Sequence, residues 1–164
     1  MTRLLGIDLG ERRIGLAVGE PGRDPAQPLS TVPRGTDLAA DVTRLRAVVT
    51  EQRIGALVVG LPLEARGNEG PMAMAARSWA SAIGEALELP FTMRDERLSS
   101  HLAEVRLGPM SRGRAGGPPT KTQRDRYRAR VDREAAAIIL QNELDARAEE
   151  ALASTVSCAL DGTR

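Results

Sequence analysis

Aromatic residues are nearly absent: Phe91, Trp79 and Tyr127 are the only three in 164 residues. A platform of successive rings stacked on unpaired bases is therefore excluded as the way this chain grips a ligand. One cysteine, Cys158, allows neither an internal disulfide nor a thiolate metal cluster; it has no partner to activate it and fits a reducing, cytoplasmic setting. No apolar run approaches the roughly 20 residues of a membrane span. The N-terminal stretch also reaches Asp8 before a secretory hydrophobic region develops, so neither insertion nor export is expected. Histidine occurs once, at His101, and one histidine reads better as a packing or surface residue than as a proton donor.

Apolar residues make up 41% and charged residues 27%, with 16 glycines and 10 prolines. That is the balance of one folded domain burying on the order of 70% of its unfolded surface, with no room for two full lobes. The net charge of +1 conceals a division. Arg94 to Arg133 holds 11 basic and 5 acidic residues, while the remainder holds 12 and 17. Such segregation predicts a local basic surface for a polyanion on an otherwise acidic body. Arginine supplies all the basic residues except Lys121 and recurs where no ligand is obvious, so the skew itself is compositional.

Residues 3–8 and 14–19 read as two strands of a hairpin joined by the charged turn GERR, with a short third strand over 29–32. Thr36 or Asp37 then caps a helix whose core face carries Leu38, Val42, Leu45 and Val49. ALVVG at 56–60 reads as a strand covered on both sides, followed by the breaker-rich loop GLPLEARGNEGP. In that loop Gly67 and Gly70 permit close backbone approach to a ligand, although a plain connection explains them nearly as well. Pro71 opens a helix with Met72, Ala76, Trp79, Ile83 and Leu87 at core spacing, which makes Trp79 a core ring. A strand over 90–94, a short helix over 98–107, a glycine- and proline-rich loop over 108–119 and a long helix over 124–147 complete the order. The buried side of the last helix carries Val131, Ala135, Ile138 or Ile139, and Leu144. Short turns between the first strands and helices between the later ones predict an α/β fold with a mixed sheet.

Asp8, Glu96 and Asp132 stand where that order converges: at the end of the first strand, just past the last strand, and early in the final helix. Singly, each reads as turn or helix-end chemistry. Together they are different, because carboxylates about 4 Å apart repel by roughly 4 kcal/mol at an effective dielectric near 20. Such a cluster must hold a proton or bind cations, and oxygen-only ligands favour Mg2+ or Mn2+ over zinc. Asp95 would point away from Glu96 if the strand continues.

The segments LGIDLGERRIGLAVG, VVGLPLEARGNEGP, DERLSS and RVDREAAAIIL occur in the order and spacing of the YqgF (RuvX) family, which the chain resembles from about Leu4 to Leu144. That resemblance implies an RNase H-like fold: α/β, with a mixed five-stranded sheet flanked by helices, over residues 1–147, followed by a C-terminal tail at 148–164. It implies a nuclease that processes the 5′ end of the small-subunit ribosomal RNA precursor (pre-16S rRNA) or, by kinship with RuvC, a Holliday junction resolvase. Asp8 matches the aspartate of GIDxG, Glu96 the glutamate of DERLS and Asp132 the aspartate of VDxxAA; these would be the catalytic and metal-binding carboxylates. Two ions would then activate water and stabilise the leaving oxygen without a side-chain nucleophile. The segment before VDxxAA looks longer than is usual for the family, and Arg133 with Glu134 places a charged pair beside Asp132. Both departures touch substrate contacts more than chemistry.

Arg106, Arg112, Arg114, Lys121, Arg124, Arg126, Arg128 and Arg130 place eight positive charges against Asp125 alone, enough to hold a nucleic-acid backbone, structured RNA or branched DNA. A solvated charged face is the simpler alternative, with Arg126 and Arg130 four apart on one side of the helix. Two rival functions are open. An ATP-binding protein of the actin and sugar-kinase class also carries a GIDLG-like phosphate loop, but needs a second lobe, and Glu11, Arg12 and Arg13 replace its small hydroxyl residues. A noncatalytic nucleic-acid-binding module of ribosome assembly would keep the fold, and losing a carboxylate would mark it. A resolvase should form a homodimer, since two symmetric cuts need two sites. The sequence offers no heptad or exposed apolar stripe that compels dimerisation.

Overall fold

Alternation along the first strand sets the two layers that everything else packs against. The computed structural model describes residues 2–161, with side-chain surroundings through 155. In β1 (Arg3–Leu9), Leu5 and Ile7 face one core while Leu4, Gly6 and Asp8 face the other, as the period of two requires. β2 (Arg13–Gly19) and β3 (Gln27–Pro33) continue the sheet antiparallel, and β4 (Ile54–Leu61) and β5 (Phe91–Asp95) add to its other side in parallel. The order β3-β2-β1-β4-β5 is the mixed five-stranded sheet expected from the sequence, with β1 and β4 central and buried on both faces.

Helices α1 (Leu38–Gln52) and α2 (Pro71–Leu87) cover one face, where Leu45, Trp79, Ile83 and Leu87 pack on Leu5, Ile7, Leu57 and Val59. Asp37 caps α1 through its side chain, which accepts from the Ala40 N–H at 2.8 Å, and Pro71 opens α2. Two expected core residues lie outside: Leu38, the first residue of α1, is 40% exposed, and Met72 is 66% exposed because its neighbour Ala73 takes the inward position that continues through Ala76, Ala80 and Ile83. Trp79 is buried, and its indole N–H donates to the buried Asp41 at 3.0 Å.

The other face belongs to α4 (Lys121–Asp161), whose Ala136, Ala137, Ile139, Leu140 and Leu144 meet Leu4, Ala17, Ala56 and Val58. α3 (Ser99–Leu107) leans on α4 through Ala103, Val131, Ala135 and Ile138, and one 3-10 turn, Arg114–Gly116, interrupts the loop between them. α4 sits close because small residues make room: a Cβ on Gly6 would lie 2.7 Å from the Ala136 carbonyl oxygen. Cross-links hold its register. Thr31 Oγ1 donates to the Ala129 carbonyl at 2.6 Å, and Gln141 Oε1 accepts from the Ala26 N–H at 2.8 Å. α4 begins earlier and ends later than the expected 124–147, and the expected tail from 148 continues it through Asp161, with 148–155 exposed. The Cys158 side chain lies outside the described residues. Among the described residues no helix is long and apolar enough to cross a membrane.

Candidate active site

Asp8 ends its strand between two glycines. Gly15 is its antiparallel partner on β2, and Gly60 follows Val59, the residue of β4 paired with Ile7. All three face α4. A Cβ on Gly15 would collide with the Asp132 carbonyl oxygen, and one on Gly60 would collide with Glu96 Oε2. The missing side chains are therefore what let α4 bring Asp132, and the residue after β5 bring Glu96, alongside Asp8.

Glu96 is placed by backbone as well: its N–H donates to the Leu61 carbonyl at 3.2 Å, and its own carbonyl accepts from Ser99 at 2.9 Å at the start of α3. Between them Leu98 adopts a left-handed conformation (φ 69°) that turns the chain sharply from strand to helix. Asp95 points outward, as alternation requires, and accepts from the backbone N–H and guanidinium of Arg97, which lower its pKa.

The Asp8 and Glu96 carboxyls lie close enough for each to shift the titration of the other. Burial, then the charges of Glu96 and Asp132, push the Asp8 pKa up to about 8. Burial also raises Glu96 to about 7, against the hydrogen bond from Asp8 and with the charge of Asp95. The two carboxyls repel one another when both are charged, so the pair together holds a proton near neutral pH. Glu96 Oε2 remains buried without a partner.

Asp132 is beside this pair but committed elsewhere: Arg13 Nε donates to its Oδ2 at 2.6 Å. Sequence reasoning missed Arg13, although its place at the head of the strand paired with Asp8 was legible. Among the described residues no set of three His, Cys, Asp or Glu side chains is gathered into a metal-holding group. The expected convergence is thus a close pair, Asp8 and Glu96, with Asp132 adjoining and held by a cation. The donor chemistry, oxygen-only, with Glu96 Oε2 buried and unpartnered, suits a divalent cation, provided Asp132 is drawn in from Arg13 to join the pair.

Of the basic residues singled out, Arg128 lies nearest the chemistry. One helical turn before Asp132, it lines a cavity of about 410 Å³ with Gly10, Glu11, Arg12, Arg13 and Asp132. Arg124 shares that side of α4, whereas Arg126 and Arg130 fall on the opposite side at 100° per residue. Arg106 is paired with Glu134 at 3.0 Å, and Arg124 donates to the Pro119 carbonyl at 2.6 Å. Arg112, Arg114 and Lys121 are exposed around the loop and the first turn of α4. His101 is exposed beside Glu104, Val105 and Tyr127, a group that includes none of the three carboxylates. Gly67 forms a left-handed turn (φ 84°) and Gly70 abuts the Glu64 side chain, which suits a plain connecting loop.

A family model described as "RuvX: Holliday junction resolvase" matches residues 2–146. The chain belongs to the RuvX family. Relatives include a protein of Anaeromyxobacter sp. (strain K) named "Putative pre-16S rRNA nuclease", 44% identical over 146 residues that span 89% of this chain and 98% of the relative. A protein of the same name from Chloroflexus aggregans is 39% identical, over 88% of this chain and 94% of its own length. Among solved structures, T. thermophilus RuvC in complex with a Holliday junction substrate aligns at a TM-score of 0.50 with 18% identity, over 90% of this chain and 96% of that one. The RuvX chain thus has the RNase H-like fold that its motifs implied.

Proposed function

We propose that the chain is a divalent-metal-dependent nuclease that hydrolyses RNA phosphodiester bonds, with the 5′ end of pre-16S rRNA as its substrate. The observation that carries this reading is the buried Asp8–Glu96 pair with Asp132 beside it. Its protonation near neutral pH and its unpartnered oxygen make a poor resting state for a core but a ready one for a cation. The name shared by relatives at 44% and 39% identity supports the RNA substrate.

Asp8, Glu96 and Asp132 would hold Mg2+ or Mn2+, and the bound metal would activate water and stabilise the leaving oxygen. The chain's own part is positional. Asp8 and Glu96, brought together at the buried end of the site, would present their oxygens to the metal. Glu96 is kept at depth by the space above Gly60. Arg13 holds the Asp132 carboxylate through its Nε–H and offsets its charge. The arginines and lysine from Arg106 to Arg130 hold backbone phosphates, Arg106 after leaving Glu134. A reducing cytoplasm, where ribosomal precursors are trimmed, is the setting this requires.

The test is cleavage of a labelled panel of precursor RNA, duplex DNA and four-way junction DNA in Mg2+ or Mn2+. Precursor RNA is expected to be cut, excess chelator to stop the reaction, and Asp8→Asn, Glu96→Gln and Asp132→Asn each to slow it about 1,000-fold or more with RNA still bound. Wild-type cutting by Glu96→Gln would remove the site assignment, and binding without cutting would leave a noncatalytic ribosome-assembly module.

A second reading, junction resolution, has one structural feature in its favour. Contrary to the sequence expectation, α3 and its cap carry an exposed apolar stripe at Leu98, Leu102 and Val105, 70, 46 and 65% exposed, on which a two-fold partner could pack. A stable dimer making paired, symmetric nicks in junction DNA would replace the RNA assignment.

A further inference from the structure

We propose that the cavity bounded by the β1–β2 turn, Arg128 and Asp132 is a subsite for one backbone phosphate of the bound strand, next to the phosphate being cut. The inference rests on the nuclease reading and adds to it a place, a ligand class and two residues, Arg12 and Arg13. Arg12, Arg13 and Arg128 line the cavity with Glu11 and Asp132, so its charged lining is net cationic. Arg12 and Arg128 are exposed and enter no ion pair among the described residues. Arg13 spends only Nε on Asp132, so the remaining N–H groups of its fork can reach a second oxyanion.

The turn that carries Arg12 and Arg13 is held in advance of any ligand. The Gly10 N–H donates to the Arg13 carbonyl at 2.9 Å, and the Arg12 carbonyl accepts from the Arg34 N–H at 2.9 Å. The Arg34 guanidinium donates to the Gly10 carbonyl at 2.9 Å and to the buried Asp41 at 3.2 Å, and stacks over Trp79. Little ordering is therefore left to do when an anion arrives. Arg13 joins the two halves of the site: a phosphate in the cavity and the Asp132 carboxylate share one guanidinium. Seating the strand is thereby coupled to the placement of a candidate metal ligand.

The experiment measures binding of a fluorescein-labelled single-stranded RNA by anisotropy, in chelator so that nothing is cut, across a range of salt. The variants are the Arg12→Gln/Arg128→Gln double variant, Arg13→Gln, and Arg53→Gln as an exposed control, with a thermal melt to verify folding. The double variant is expected to bind about 10-fold more weakly and to lose about 0.7 from the log–log salt slope, one single-strand phosphate. Arg13→Gln should give the same loss and Arg53→Gln none. A change below two-fold, a slope loss near twice that value, or a wild-type protein that binds no RNA would each overturn the subsite. Cleavage by the double variant at the wild-type KM would sink the subsite and leave the nuclease standing. RNA bound with the expected slopes but never cut would sink the nuclease and leave the subsite.

Discussion

At Asp8, burial works against the charged form of the carboxyl group. Burial and the charges of Glu96 and Asp132 push the Asp8 pKa in the folded protein from the ordinary 3.8 up to about 8. Glu96, raised to about 7, acts in the same direction. Stability from these groups is thus complete below the unfolded values and is lost as pH rises through 7 to 8. In chelator the melting temperature is expected to fall between pH 5 and 8, and Asp8→Asn to raise it at pH 8 by several degrees, at roughly 2–4 °C per kcal/mol. Calorimetry that finds a flat or rising profile would refute the protonated pair. Asp8, Glu96 and Asp132 were all legible as residues because their motifs are local. The Arg13–Asp132 pair spans 119 positions, so no local pattern announces it.

The decisive contact between elements is the approach of α4 and of the β5–α3 turn to the sheet. Gly60→Ala would put a methyl group where Glu96 Oε2 lies and 2.8 Å from Ile139 Cδ1. It is expected to destabilise by about 1–3 kcal/mol and to lower kcat about 100-fold with KM little changed, since the reacting group is displaced while the phosphate contacts are not. Steady-state kinetics beside a thermal melt would check it, and normal kcat would mean that Glu96 is not held from Gly60. Strands and helix order were readable from apolar period and from Pro71, and the α1 cap to within Thr36 or Asp37, of which the structure uses Asp37. Exposure of Leu38 and Met72 was not: spacing of four from Ala76 suits Met72, yet Ala73 at spacing of three holds the buried position.

Across the whole molecule, charge and length make separate demands. Replacing Arg126 and Arg130 by alanine is expected to flatten the salt dependence of RNA binding by up to about 1.4 log units, two phosphates at roughly 0.7 each; an unchanged slope would assign them to solvating α4. Residues 148–155 extend α4 with every side chain exposed. Deleting 148–164 is therefore expected to leave the melting temperature within about 2 °C and cleavage intact, and a larger loss would show that the helix extension is part of the domain.

The order of strands and helices, the mixed sheet, the three carboxylates and the basic segment were determined by the sequence alone. Each depends on residue type at short spacing, and short spacing survives in one dimension. Tertiary structure alone decided which carboxyls lie close together, which one Arg13 holds, and which arginine of the basic run shares a cavity with Asp132. Those outcomes depend on how closely α4 descends onto Gly6 and Gly15 and on the rotation of that helix about its axis. Distance and orientation between elements remote in the chain follow from packing, and packing is a property of all the side chains at once.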